Sequence, residues 1–195
     1  MSRKSQETRE RILTTTWKLL ETAPAKTVRM SDIAKAADLT RQALYLHFPK
    51  RAELMIATAR YLDEYYDTDT RLAPSRRATS GKERLDAFID AWGNFIPLIY
   101  GVGRAFMAMQ DTDEAAATAW ADRMNALKDG CRAAVEALEN DGDLRTDLDQ
   151  DKAIDLLWTL LSVRNWEQLR HTCNWSQEDY ITHITTTAQK MLIAD

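Results

Sequence analysis

Residues 27–48 read TVRMSDIAKAADLTRQALYLHF, and their pattern is the most informative one in the N-terminal part of the chain. Apolar residues recur in it at helical spacing, and several of them are small enough to let two helices cross closely. These residues are Ile33, Ala34, Ala37, Leu44 and Phe48. The stretch therefore predicts two short helices, at about 28–37 and 41–48, joined by a tight turn.

The second of these helices carries side chains suited to reading DNA bases. Thr40 precedes it, is a good N-cap, and is also expected to belong to the DNA-binding site. In a helix-turn-helix, the first residues of the second helix reach base edges in the major groove. An arginine can bond guanine O6 and N7, a glutamine can bond adenine N6 and N7, and an alanine methyl can touch a thymine methyl. We therefore expect Arg41, Gln42 and Ala43 to read double-stranded DNA.

Polar side chains around this helix are suited to the DNA backbone. Tyr45 and His47 follow on the same helix, and Lys50 and Arg51 open the next one. Arg29, near the start of the first short helix, is a further candidate. Hydroxyl, imidazole and cationic groups bond phosphates, which positions a protein on a duplex without specifying its sequence. We expect these five residues to contact phosphate.

The stretch from Val28 to Leu54 resembles the N-terminal domain of tetracycline-repressor (TetR/AcrR-type) regulators. The residues that match the family pattern are Val28, Ile33, Ala34, Ala37, Leu39, Thr40, Leu44, Tyr45, His47, Phe48 and Leu54. Two residues depart from it, because Asp38 stands where the family usually has glycine and Arg51 where it usually has lysine. Asp38 tolerates the left-handed conformation that a turn requires, and Arg51 keeps the positive charge. Neither departure removes the resemblance.

The resemblance implies an assembly and a mode of regulation. It implies a homodimer on a palindromic operator, with a C-terminal domain that dimerises through its last two long helices and carries a small-molecule pocket. We therefore expect a repressor that a small-molecule effector releases from its operator. The identity of that effector does not follow from the sequence.

Charge is distributed unevenly along the chain. Residues 1–60 hold 12 Lys and Arg against 6 Asp and Glu, whereas the remaining 135 residues hold 14 against 24, within a net charge of −4. A basic N-terminal part attracts a polyanion and an acidic remainder is repelled by it. The distribution thus favours a DNA partner that the net charge alone would argue against.

Helical periodicity continues through the rest of the chain, so the sequence predicts an all-α fold. A first helix over about 6–22 ends before Pro24, and a further helix covers 50–67. We expect a helix-turn-helix domain at 1–50, connected by the helix 50–67 to an effector-binding and dimerisation domain at 68–195.

The second domain is predicted to contain helices separated by loops. Residues 67–81, polar and containing Pro74, are expected to form a loop or linker. A helix from about 85 is expected to break at Gly101–Gly103, and two closing helices are expected near 150–172 and 177–193. Asp149 is expected to cap the first of these closing helices.

An aromatic effector pocket is expected in this second domain. Pro97 lies inside a helical stripe, where it frees the carbonyl of Gly93 and kinks the helix. A kink opens space that apolar and aromatic side chains with little charge can line. The candidates are Trp92, Phe95, Ile96, Tyr100, Phe106, Met107, Trp120, Met124 and Trp158.

Other classes of function find less support in the sequence. The chain has no Gly-rich phosphate loop, nucleophile elbow or HExxH motif, so we expect no enzyme, no cofactor and no metal site. No apolar run is long enough to span a membrane, and a cytoplasmic protein is expected. The alternative is a helical protein-interaction adaptor without specific DNA binding, which would favour apolar residues at positions 41 and 42.

Overall fold

The computed structural model describes residues 3–22 and 28–194, and helices are the only extended regular elements in them. The helices are α1 (Arg3–Thr22), α2 (Met30–Ala36), α3 (Arg41–His47), α4 (Arg51–Tyr65), α5 (Thr68–Arg77), α6 (Gly81–Met109), α7 (Glu114–Asn140), α8 (Gln150–Leu160), α9 (Val163–Glu167) and α10 (Gln177–Leu192), with a π-helical turn at Gln168–Thr172. The predicted all-α fold is confirmed. Pro24, expected to follow the first helix, lies outside the described residues.

The chain divides into two compact units. The N-terminal unit comprises Met1–Tyr66 and Ile99–Arg123, and the C-terminal unit comprises Asp67–Leu98 and Met124–Asp195. Helices α6 and α7 therefore each contribute residues to both units. Residues 68–195 were expected to form one effector-binding and dimerisation domain, and the functional roles of the two parts remain a prediction.

Helices α1 to α4 share one apolar core with the ends of α6 and α7 that belong to the N-terminal unit. Fully buried members of this core come from all six helices: Ile12, Leu20, Ile33, Leu44, Leu54, Phe106 and Ala116. Removal of this apolar surface from water stabilises the unit, and the packing fixes how α2 and α3 are oriented.

Residues 68–77 form a helix, so the loop or linker expected at 67–81 is wrong over most of its length. Asp67 caps this helix from a left-handed conformation, with its side chain accepting from the Thr70 amide at 3.4 Å. Ser75 is buried and donates from Oγ to the carbonyl of Arg84 at 3.1 Å. The polar composition and Pro74 favoured a loop, but this cap and this tertiary hydrogen bond stabilise a helix.

The break expected at Gly101–Gly103 is also wrong, since α6 runs without interruption from Gly81 to Met109. Gly101 has a packing role instead. A Cβ at this position would lie 2.8 Å from Cγ of Glu21 on α1. The glycine lets a side chain of α1 approach the α6 backbone closely, and helix interiors accept a glycine for about 1 kcal/mol.

The carbonyl that Pro97 frees has found another partner. Proline has no amide hydrogen, so the Gly93 carbonyl lacks the i→i−4 bond of a regular helix. Instead, Gln177 at the start of α10 donates from Nε2 to the Gly93 oxygen at 2.8 Å. Its Oε1 accepts from the Trp166 indole N–H at 3.1 Å. One side chain thus connects α6, α9 and α10.

The helix expected at 150–172 begins as predicted and then divides. Asp149 caps α8, accepting from the amides of Asp151 and Lys152 at 3.1 and 3.3 Å. The helix ends at Leu160, because Ser162 caps a new helix by accepting from the Asn165 amide at 3.2 Å. The expectation of one continuous helix is therefore wrong.

Two further observations concern the described part of the chain. None of its helices is long and apolar enough to cross a membrane. It also contains no cluster of three or more His, Cys, Asp or Glu side chains placed to hold a metal ion.

Candidate nucleic-acid interface

The turn between α2 and α3 is as tight as the sequence indicated. Asp38 adopts φ 53°, in the left-handed region that aspartate tolerates better than most residues. The Leu39 amide donates back to the Ala34 carbonyl at 2.9 Å. Thr40 then caps α3, accepting from the Ala43 amide at 3.1 Å. The predicted helix-turn-helix and its N-cap are confirmed in geometry.

Helix α3 buries one side and exposes the other. Leu44 is fully buried, and Phe48, directly after the helix, is buried as well. Because α-helical residues are about 100° apart around the axis, the positions opposite Leu44 face outward. Gln42 and Leu46 lie opposite Leu44, whereas Arg41 and Tyr45 lie about 60° and 100° from it, and all four are exposed. They form the outer face of α3.

The residues predicted to contact DNA differ in their exposure. Arg29 and Lys50 are exposed, as are Arg41, Gln42 and Tyr45 on the outer face of α3. Ala43 and His47 are only half-buried and lie toward the flank of the helix. Leu46, which was not predicted to contact DNA, is 81% exposed, more than any other large apolar side chain that the structure describes. The exposure of Leu46 on a seven-residue helix depends on how neighbouring helices pack, so no local sequence pattern indicated it.

Arg51 is bound inside the protein, which argues against the phosphate contact predicted for it. Its Nε donates to the Val28 carbonyl at 2.8 Å, and its Nη1 lies 2.5 Å from Oδ1 of Asp113. The Arg51 side chain is 20% exposed and that of Asp113 only 6%. A buried pair loses much stability when one partner leaves, so this guanidinium is committed to the fold.

Asp113 has two roles that together explain its ionisation. Its Oδ1 also accepts from the amides of Ala115 and Ala116, which caps α7. Burial raises the pKa of this carboxyl, but the hydrogen bonds from Arg51 and from the two amides lower it by more. The net pKa lies below its usual value, and the carboxylate is charged at neutral pH.

A second cationic side chain holds the end of α3. Arg9 on α1 lies over the Phe48 ring, 4.2 Å from its centroid, and donates to the His47 carbonyl at 3.4 Å. Cations are favoured at the C-terminal end of a helix and over aromatic faces. No sequence pattern indicates this contact, because Arg9 and His47 are 38 residues apart.

Helix α4, which follows α3, is tied to α7 at a second place. Arg60 donates to Asp122 at 2.6 Å, and Arg123 pairs with both Asp122 and Asp63. Together with the Arg51–Asp113 pair, these contacts join both ends of α4 to residues 113–123 within the N-terminal unit. The position of α4 within this unit therefore depends on α7.

Comparison with known families gives an independent result for this region. Residues 12–58 match the family described as bacterial regulatory proteins, tetR family. The match extends from α1 into α4 and includes the whole helix-turn-helix. The resemblance to the tetR family is confirmed. A comparison with curated proteins finds no match.

Solved structures share the tetR-type fold over nearly the whole chain. A TetR transcriptional regulator from Chloroflexus aurantiacus has a TM-score of 0.72 at 22% identity, with both chains covered completely. NalD, the secondary repressor of the MexAB-OprM efflux pump in Pseudomonas aeruginosa, has a TM-score of 0.71 at 19% identity and 98% coverage of both chains. A transcriptional regulator from Saccharomonospora viridis, in complex with choline, has a TM-score of 0.74 at 18% identity, covering 97% of this chain and all of that one.

The nine residues expected to form an effector pocket are divided between the two units of the tetR-type fold. Four belong to the N-terminal unit: Tyr100, Phe106, Met107 and Trp120. Of these, Phe106 lies in the core that also holds the helix-turn-helix, and Trp120 packs against that core. The C-terminal unit contains the other five: Trp92, Phe95, Ile96, Met124 and Trp158. Whether any of the nine contacts an effector remains a prediction.

The two tryptophans of the C-terminal unit that were predicted to contact an effector have their indole N–H groups already bonded. Trp92 donates to the Leu161 carbonyl at 2.8 Å, and Trp158 donates to the Met124 carbonyl at 3.0 Å. The Trp92 ring lies 6.1 Å from that of Phe95, centroid to centroid. Neither indole N–H is therefore left as a donor for a ligand, and the Trp158 ring already has Lys128 Nζ over it, 5.4 Å from its centroid.

A cleft of about 510 Å³ lies in the N-terminal unit between α1 and α4. Charged and polar side chains form much of its lining, among them Arg9, Glu10, Glu53, Arg60 and Glu64. None of the nine predicted effector residues lines it. Its composition differs from the apolar, aromatic lining that the sequence analysis expected.

Proposed function

We propose that this protein is a transcriptional repressor that binds a palindromic operator as a homodimer and is released by a small-molecule effector. The observation that carries the proposal is the outer face of α3, where Arg41 and Gln42 are exposed on a helix whose opposite side is buried in the core. The tetR-family match over residues 12–58 supports the same assignment. Such a regulator acts where the DNA is, in the cytoplasm.

Base recognition would come from the N-terminal half of α3. Arg41 has the donors for guanine O6 and N7, and Gln42 has one donor and one acceptor for adenine N6 and N7. Each bidentate pair contributes about 1–3 kcal/mol of discrimination against the wrong base. Lys50, Tyr45 and Arg29 are exposed around this face and would bind phosphates.

Homodimer formation would supply the selectivity that one helix-turn-helix lacks. A single small module contacts few base pairs, whereas a two-fold dimer contacts two half-sites about one helical turn apart. The operator is then expected to be palindromic, because its symmetry must match that of the dimer. By analogy with the family, the helices at the C-terminal end would form the dimer contact.

The effector would bind in the C-terminal unit against Trp92, Phe95 and Trp158. Since both indole N–H groups are bonded to main-chain carbonyls, the rings favour a largely apolar ligand. The choline complex of the Saccharomonospora viridis protein supports a small-molecule role for this fold. An effector weakens operator binding only if it has different affinities for two conformations of the protein.

Selection of duplexes from a random library tests the DNA-binding proposal. The full-length protein is expected to select a palindrome, and Arg41→Ala and Gln42→Ala are each expected to lose one preferred base per half-site. Arg76→Ala serves as the control, because Arg76 is an exposed arginine of the C-terminal unit paired with Asp69. Absence of any selected sequence, with protein-protein association instead, would favour an adaptor.

A further inference from the structure

Leu46 is an apolar side chain on a helix face that otherwise carries polar and charged groups. Leu46 is 81% exposed. Among the described residues, the next most exposed large aliphatic side chain is Leu156, at 42%. A single exposed leucine needs no explanation on most surfaces. On the outer face of α3, however, Leu46 lies next to Gln42, and this position bears on which base the helix contacts.

Helix geometry places Leu46 beside Gln42. Residues four apart on an α-helix differ by about 40° around the axis and about 6 Å along it. Ala43 is instead about 100° from Gln42 and is half-buried. Of the apolar side chains of α3, Leu46 is therefore the one that points in nearly the same direction as Gln42.

The partner of this apolar side chain must also accept Arg41 and Gln42. The major groove of DNA presents hydrogen-bonding base edges and one type of apolar group, the C5-methyl of thymine. A step of about 6 Å along α3 corresponds to roughly one or two base pairs of B-DNA. The chemistry that fits a leucine next to a glutamine in this groove is a thymine methyl.

We propose that Leu46 packs against a thymine methyl in each half-site and so makes thymine the preferred base there. The inference rests on the proposed DNA-binding function and adds a specificity-determining residue to it. It also transfers to Leu46 the thymine contact that the sequence analysis assigned to Ala43.

Replacing thymine with deoxyuridine tests the contact, because the two bases differ only in the methyl group. The duplex selected by the full-length protein is prepared with deoxyuridine at one thymine position per half-site at a time, and the Kd is measured by fluorescence anisotropy. Deoxyuridine at one of these positions, the one that Leu46 contacts, is expected to weaken binding by about fourfold per half-site. This factor corresponds to the burial of one methyl group. For Leu46→Ala, the thymine and deoxyuridine duplexes are expected to bind equally.

Two control variants separate Leu46 from its neighbours. Leu46→Met keeps an apolar side chain of similar length and should keep the sensitivity to the thymine methyl. Ala43→Ser should also keep it, if Ala43 does not touch the methyl. Because Leu46 is so exposed, its replacement should leave thermal unfolding unchanged, which shows that a loss of binding is not a loss of fold.

These experiments distinguish failure of the role of Leu46 from failure of the proposed DNA-binding function. Unchanged deoxyuridine sensitivity in Leu46→Ala, or no sensitive position in the wild-type protein, would overturn the role of Leu46 while leaving specific DNA binding in place. Failure of the wild-type protein to select any duplex would overturn the proposed function, and the role of Leu46 with it.

Discussion

Lys50 and Gln42 are both exposed and polar, but we expect them to contact different parts of the duplex. Lys50→Ala should weaken binding to all sequences similarly and reduce the slope of log K against log salt by about 0.9, because one phosphate contact is lost. Gln42→Ala should instead cost about 1–3 kcal/mol on the operator and little on unrelated DNA. Titrations at several salt concentrations check both. Equal loss of selectivity in the two variants would contradict the assigned roles.

Asp113→Asn should destabilise the N-terminal unit strongly. The substitution keeps an oxygen that can cap α7 but removes the charge that pairs with the buried part of Arg51. Loss of one partner from a buried pair costs about 3–5 kcal/mol, so denaturant unfolding should show a decrease of about 3 kcal/mol at neutral pH. Asp69→Asn is a suitable control, since Asp69 is 88% exposed and its ion pair with Arg76 lies at the surface.

The same pair predicts a pH dependence whose sign follows from the lowered pKa of Asp113. Burial raises this pKa, but the hydrogen bonds to the charged form lower it by more. A carboxyl with a depressed pKa stabilises the fold above its unfolded-state pKa, and that stabilisation is lost as the pH falls through the folded-state pKa. The difference in unfolding free energy between wild type and Asp113→Asn should therefore decrease as the pH falls into the acid range. A difference that grows in acid would contradict the assignment.

Single residues also show what the sequence could and could not predict. Thr40, Asp38 and Asp149 act through their own backbone neighbourhoods, and their roles were predicted correctly. Arg51 binds Asp113 across 62 residues of sequence, a contact that no local pattern indicated, and its contact with phosphate stays a prediction. The exposure of Leu46 likewise depends on how α3 packs against other helices.

At the scale of elements, the errors concern where helices continue or end. Gly101 was interpreted as a helix break, but it permits the close approach of Glu21 within an unbroken α6. The helix from Gln150 was expected to continue, but Ser162 caps a new one. Helical periodicity identified the helices themselves, whereas their ends depend on caps and tertiary contacts.

The bond between Gln177 and the Gly93 carbonyl gives a prediction about α6. Gln177→Ala should cost about 1–3 kcal/mol of unfolding free energy, because it leaves the Gly93 oxygen and the Trp166 indole without their partner. In a Pro97→Ala background the new amide can bond to the Gly93 carbonyl within the helix. The cost of Gln177→Ala should then fall by about 1 kcal/mol, a coupling that a double-mutant cycle measures. Equal costs in both backgrounds would show that Gln177 does not compensate for Pro97.

For the whole molecule, the proposed function predicts a dimer on DNA, because one helix-turn-helix contacts too few base pairs for selective binding. Sedimentation equilibrium should give twice the mass of the chain for the free protein, and two chains per palindromic duplex for the complex. A duplex containing one half-site should bind far more weakly, since half of the base contacts are absent. A monomer that binds the full operator with undiminished affinity would contradict the dimer proposal.

The most direct test of the central proposal compares the affinity of the full-length protein for its selected palindrome with that for a scrambled duplex of the same composition, at physiological salt. Specific regulators bind their sites about 10³–10⁷ times more tightly than unrelated DNA. We predict a ratio of at least about 10³, and a clear decrease of that ratio in the Arg41→Ala and Gln42→Ala variants. Affinities for the two duplexes within about tenfold, or a ratio that neither substitution changes, would contradict sequence-specific binding through α3.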